Sequence, residues 1–320
     1  MKSTVFYIIV VVGGCLIALS LQPLKTEDIL LQTSPISILP PHTHNTNDDT
    51  IIDLGHGIEK YSEIYVSQKD LWITSIDLEL INASSSVLHH VVLANASSSP
   101  VWCSDEADER YYYLFAEDQM HDRKVQFPTG YALYIPRNTP LVLDGLFHNA
   151  QPPIGTGDTY RNVSARIVLH TQEPSRIRPL KRLTFYAPHL SDDQCAPRDA
   201  SFFFSIPSNT SNYLITGEGK KLRPDRIVFN TPVTIKYWFG HLHGWQGGKE
   251  LIVKKNGELL RVFRTQRSEV ESYQFDTPHG ATNIHLAAGD TLSLEALYDN
   301  PTKELTIGAM GVLYLLVAEE

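Results

Sequence analysis

"KELIVKKNGELLRVFR", residues 249–264, decides the fold. Two apolar-polar runs flank Asn256-Gly257, the residue pair that a two-residue hairpin turn asks for because both central positions take positive φ. Reading outward, the neighbouring runs are of the same kind. "DTLSLEALY" (290–298) and "GVLYLLVA" (311–318) follow, and "RLTFYAP" (182–188), "ASFFFSIP" (200–207) and "TPVTIKYWFGHLH" (231–243) precede. The first half of the chain repeats the theme with "LWITSIDLEL" (71–80), "VLHHVVLANA" (87–96), "PLVLDGLFH" (140–148) and "VSARIVLHT" (163–171). In "LWITSIDLEL" the alternation assigns Trp72, Thr74, Ile76, Leu78 and Leu80 to one face, with Asp77 and Glu79 on the other. No long helical period competes.

Short strands at regular spacing predict an all-β protein. The expected form is two tandem jelly-roll-like antiparallel β-sandwich domains behind an N-terminal hydrophobic leader. The polar, Pro-containing "TQEPSRIRP" (171–179) divides them, giving an N-terminal sandwich over 55–173 and a C-terminal one over 174–320. Residues 22–54, rich in Pro, Thr, Asn and Asp around "SPISILPPHTHNTNDDT", read as a flexible tether.

Residues 1–21 are of different material. "VFYIIVVVGGCLIALSL" (5–21) is apolar except for Ser20, which predicts a signal peptide or a membrane anchor. The body is therefore expected outside the cytoplasm, touching a membrane only through this segment. There are 36 Asp+Glu against 27 Lys+Arg, and the net charge is −9 with no basic block, which argues against a nucleic-acid partner. Of 3 cysteines Cys15 lies in the leader, so Cys103 and Cys195 are the pair available for a disulfide in an oxidising compartment. Asn-x-Ser sequons stand at Asn82, Asn95, Asn162 and Asn209.

The 13 histidines are unevenly informative. His56, His121, His189, His279 and His285 stand alone near turns or strand ends, and His42-x-His44 lies in the tether. His241 and His243 are better placed. On a strand, i and i+2 share a face, so Ile235, Tyr237, Phe239, His241 and His243 form one row ending in two imidazoles. His89 and His90 are adjacent within an apolar strand. A regular strand sends them to opposite faces, so a bulge, or the use of different ring nitrogens, is needed for both to reach one ion. His148 ends another strand. Met310 stands behind a glycine turn at the start of the last one, sharing a face with Val312 and Tyr314. Two sets emerge, His89–His90–His148 and His241–His243–Met310, without carboxylate or thiolate. Imidazole with a thioether suits copper, above all Cu(I), better than zinc.

This order of His-His, strand-ending His, His-x-His and Gly…Met-x-x-Leu-Tyr resembles the type II, ascorbate-dependent copper monooxygenases, the family of peptidylglycine α-hydroxylating and dopamine β-monooxygenases. "FPTGYALYI" (127–135), "LVLDGLFHN" (141–149), "GDTLSLEALYDN" (289–300) and "IGAMGVLYLL" (307–316) are similar to the family's strands, and the resemblance runs in order over roughly residues 60–318.

The resemblance implies two coppers per chain across a solvent-filled cleft. His89, His90 and His148 would hold an electron-storage copper; His241, His243 and Met310 would hold the copper that binds O₂ beside a substrate C–H bond, with ascorbate as reductant. It also marks departures. Phe239 stands where the peptide-amidating members have an arginine and Val312 where they have an asparagine, while Tyr314 keeps the tyrosine. Without the charged clamp a peptidylglycine substrate is disfavoured, and Phe239, Val312 and Tyr314 imply a small-molecule or peptide-like substrate of apolar character. The family's disulfides are reduced to at most Cys103–Cys195. The competing expectations are a non-catalytic, exported copper-binding module descended from the same family, and a plain adhesion-type sandwich pair with incidental histidines.

Overall fold

A computed structural model of the chain describes residues 6–12, 15–21, 26–38, 42–45, 50–53, 58–83, 87–96, 112–118, 124–147, 159–174, 177–187, 204–215, 226–242, 247–267, 273–275 and 280–320. The fold is all-β and sandwich-like, with no α-helix among the described residues. Its backbone is a ten-stranded sheet. The main path runs Gly280–Leu286, Val233–Leu242, Gly311–Glu319, Arg178–Ala187, Tyr131–Ile135, Leu71–Ile81, Tyr160–Gln172 and Thr26–Gln32. Neighbours are antiparallel except Tyr131–Ile135 with Arg178–Ala187, which are parallel. A five-stranded sheet, built on Leu88–Asn95 and Pro140–Phe147, covers the first half of the large sheet. A six-stranded sheet, built on Thr291–Asn300, Gly248–Lys255 and Glu258–Arg267, covers the second half.

The buried side chains follow this division. Ile73, Ile76, Ile167 and Leu169 of the large sheet meet Val91, Leu93, Leu141 and Leu143 in a first core. Trp238, Leu313 and Leu315 meet Leu251, Val253, Phe263 and Leu294 in a second. The two cores use opposite faces of the large sheet. On its second half, Tyr237, Phe239, Leu316 and Ala318 turn away from the second core and join the first. The Tyr237 ring meets Phe127 edge-on at 5.9 Å.

The hairpin at 249–264 forms as the sequence requires. Lys255 pairs with Glu258, and Asn256 and Gly257 take φ of 52° and 82°. Asp290 fixes it from outside: its carboxylate accepts from Asn256 Nδ2 at 2.7 Å, and Lys255 Nζ lies 2.8 Å away.

Several sequence expectations change. In Leu71–Ile81 the core side chains are Leu71, Ile73, Ile76 and Leu78, because a bulge at Thr74 resets the alternation. Trp72 therefore leaves the expected row and its ring lies 4.8 Å from that of Tyr134. The stretch 22–54 is not a tether throughout. Thr26–Gln32 is the edge strand of the large sheet, Ile36–Ile38 also pairs with Tyr160–Gln172, and Ile29, Leu31, Ile36 and Ile38 enter the first core. The buried alternation of "DILL" outweighs the polar composition that follows it. At the N-terminal end, Phe6–Val12 pairs antiparallel with Cys15–Leu21. No helix among the described residues is long and apolar enough to cross a membrane.

Candidate functional site

Bulges position both histidine strands. In Leu88–Asn95, Leu88 pairs with Phe147 and His90 with Leu146, so His89 is the extra residue. Leu88, Val91 and Leu93 all enter the first core, which means the alternation slips by one across the two histidines. Had the strand run regularly from Leu88, His90 would point into that core. Instead His90 lies half-buried on the outer face, the face of Val92 and Ala94. The bulge thus shifts the alternation by one residue at the His89–His90 pair.

The second strand behaves in the same way. Ile235 pairs with Val317 and Tyr237 with Leu316, leaving Lys236 as the extra residue. Ile235 faces the second core while Tyr237 and Phe239 face away from it. The expected row Ile235–Tyr237–Phe239–His241 is thus broken after its first member, and the bulge is what turns His241 out of the second core. His241 is buried, 6% exposed, and pairs with Val312.

The last strand brings the remaining pieces alongside. Leu242 pairs with Gly311, so Met310 and the end of the His241 strand are adjacent in the register. Met310 is half-buried, and its carbonyl accepts a hydrogen bond from the buried Tyr298 hydroxyl at 2.6 Å. Phe204 packs edge-on against that tyrosine at 5.3 Å. Gly311 makes the approach close: a Cβ there would lie 3.0 Å from Ala296 Cβ and 3.3 Å from Leu251 Cδ1.

Tyr314 joins the two histidine faces. Its ring stacks on Phe239 at 5.5 Å and 29°, and it packs against Val92, Ala94 and Val142, the outer cluster of the strand pair that carries His90. His90, His241 and Met310 therefore belong to strands that meet at one junction. Phe239 and Val312, the expected lining of a substrate pocket, are 2% and 0% exposed, whereas Met310 and Tyr314 keep partial exposure. His148, which follows the strand end at Phe147, lies outside the described residues, as do His243, Cys103 and Cys195, and of the His89 side chain nothing is described. Among the described residues no group of three or more His, Cys, Asp or Glu is gathered as a metal site.

Three positions escaped the sequence reading. Asp144, 3% exposed, pairs with Val92 on the strand that His148 follows. Gly247, in the turn beyond His243, takes φ +90°, and a Cβ on it would fall 1.8 Å from the Asp299 carbonyl oxygen. The Gly-Gly of "HGWQGG" is the visible sign of that crowding. His170 lies between two carboxylates on different strands and carries no local signal at all.

No family model matches the chain, and no curated protein matches it. Among solved structures it is similar to a peptide-N(4)-(N-acetyl-β-D-glucosaminyl) asparagine amidase, at 8% identity over 91% of this chain and 100% of that one, with a TM-score of 0.34. It is also similar to the tandem CBM51 modules of a family 98 glycoside hydrolase from Streptococcus pneumoniae, at 10% identity over 91% and 93%, with a TM-score of 0.16. Neither likeness is close enough to bear on function.

Proposed function

We propose that the chain is a copper-dependent monooxygenase of the type II, ascorbate-dependent kind, exported or anchored by its N-terminal segment and acting on an apolar C–H substrate other than a peptidylglycine. The observation that carries this reading is the pair of bulges at His89 and Lys236, each of which takes a histidine out of a core and faces it to the junction spanned by Tyr314. Two strands that each spend a bulge to re-aim a histidine support ligation as the reason for the irregularity.

In this reading His89, His90 and His148 hold one copper and His241, His243 and Met310 the other. The donor set fits: neutral imidazoles and a thioether, with partial exposure at His90 and Met310 for access. When bound, the metals would supply O₂ activation and electron storage with ascorbate as the reductant. The protein's own part is structural. Tyr298 holds the Met310 backbone, the Phe239–Tyr314 stack sets the spacing of the two faces, and Val312 keeps the neighbourhood apolar.

The burial of Phe239 and Val312 supports a second reading, a non-catalytic exported copper-binding module, because it leaves these positions without surface to offer a substrate. One experiment separates them. Reconstituted protein is analysed for copper, and ascorbate-dependent O₂ consumption is then followed with a panel of apolar substrates. The enzyme reading expects about two tightly held coppers and substrate-dependent O₂ uptake; the module reading expects copper without uptake. Met310→Leu should weaken the second site and leave the first occupied. Absence of retained copper would sink both.

A further inference from the structure

We propose that His170 is a protonation-controlled latch that fastens the start of the N-terminal edge strand to the large sheet. His170 sits on Tyr160–Gln172 between two other strands. Its Nδ1 lies 2.7 Å from Asp28 Oδ1 on Thr26–Gln32, and its Nε2 lies 2.9 Å from Asp77 Oδ2 on Leu71–Ile81. One imidazole thus spans three strands. A neutral ring has a single N–H, so one of these carboxylates would then face a lone pair; only the imidazolium donates to both. The side chain is 27% exposed, which lets it exchange protons with solvent.

Of the surrounding charges, the two carboxylates favour the imidazolium and the nearby cations oppose it. Lys124 lies 3.6 Å from Asp77 Oδ1, and farther along the same face Arg166 of the histidine's own strand pairs with Glu79. Among the described residues, the ion pair that Asp28 makes is with His170. Burial lowers the His170 pKa, but the hydrogen bonds and charges of Asp77 and Asp28 raise it by more, and the net direction is upward from its ordinary value of about 6.5.

What the latch holds follows from the position of the core. Ile29 and Leu31 are each 4% exposed and anchor the strand whatever the pH. Asp28 lies just before them, at the end nearest the leader. Glu27 is tied separately, by the Thr171 hydroxyl to its carbonyl at 2.9 Å and by Lys69 to its carboxylate. Loss of the proton therefore removes the side-chain tie at Asp28 and lets Thr26–Asp28 open more often, against the Glu27 bonds and the backbone pairs to His170, Thr171 and Gln172 that remain. The sign is that of a raised histidine: the latch is closed below about pH 6.5 and opens as pH rises through the folded-state pKa.

The test uses the full chain. The His170 midpoint is measured by NMR, and amide protection over residues 26–32 by hydrogen exchange across the same range, corrected for the intrinsic pH dependence of exchange. The expected midpoint lies above 6.5. Protection at residues 26–28 should fall with it, by up to tenfold for each unit of separation from 6.5, while residues 29–32 stay protected. His170→Gln should show the low protection at every pH. Asp28→Asn should bring the midpoint down. A wild-type midpoint at or below 6.5, or protection unchanged through the transition, overturns the latch, whether or not the variants fold. The copper reading is untouched by either result.

Discussion

Replacing Gly247 by alanine should be among the most damaging single-methyl additions the chain can receive. Two costs combine. Gly247 takes φ +90°, a region that costs an L-residue roughly 1–2 kcal/mol. The new Cβ would fall 1.8 Å from the Asp299 carbonyl oxygen, a backbone atom that no rotamer change can move aside. Relief needs a shift of more than about 1 Å by one of the two chains. The same two residues are tied by the Asp299 N–H donating to the Gly247 carbonyl at 2.8 Å. A shift that size breaks the bond, at a further cost of about 1–3 kcal/mol if the groups are left unpaired. The total is about 2–5 kcal/mol, against a whole-domain stability of roughly 5–15 kcal/mol. Urea unfolding followed by tryptophan fluorescence measures it as a fall in the midpoint at unchanged slope. Since Gly247 closes the turn beyond His243, copper retention should fall at the His241–Met310 site and persist at the His89–His90 site. A loss below about 1 kcal/mol would show that the turn yields freely and that neither φ nor the Asp299 contact constrains it.

Tyr298→Phe removes the donor to the Met310 carbonyl while keeping the ring that packs against Phe204. It should cost about 1–2 kcal/mol in urea unfolding, the usual penalty for stranding a buried acceptor, and should weaken Cu(I) binding at the second site more than at the first. Asp290 is held to a pKa of about 2 by the Lys255 and Asn256 side chains and the Ala287 N–H. A depressed carboxylate stabilises the fold above its unfolded value of about 4, and that contribution is lost as pH falls from there towards 2. Asp290→Asn should therefore flatten the pH dependence of stability between about pH 4 and 2, seen as a smaller slope of unfolding midpoint against pH.

How much of this was legible varied with the distance over which the information is spread. The 249–264 hairpin was fully legible because its turn chemistry is local: Asn256-Gly257 carries both the positive φ and the register. The strands of the sandwiches were legible too, since two-residue alternation needs only neighbours. Bulges are where that reading fails. Nothing in "LWITSID" marks Thr74 as extra, and nothing in "TIKYW" marks Lys236, because the choice is made by the partner strand and by which core must be filled. At "LHHVV" alone the sequence raised the need for a bulge, through the cost of placing adjacent imidazoles on opposite faces. His170 escaped because its partners are 142 and 93 residues away. The N-terminal strand escaped because its few core residues were outvoted by a polar stretch that begins just after them.

The bulges also decide on which side of the two cores His90 and His241 lie. A strand that packs one face of a sandwich commits alternate residues to the core, and a histidine in phase with that series is buried without recourse. Leu88 and Ile235 are in phase with His90 and His241, so an unbulged chain would bury one imidazole in each core. The bulges at His89 in one strand and Lys236 in the other turn both histidines out of phase and bring the core residues that follow, Val91 and Leu93 in one case and Trp238 and Leu242 in the other, inside. The displaced faces then have only one place to meet, the junction where Tyr314 packs against Val92 and Ala94 and stacks on Phe239. Under the proposed copper reading, this apolar junction is flanked by re-aimed imidazoles and a half-buried thioether. It is the arrangement expected if soft metal ions were to be held apart from bulk water yet within reach of it.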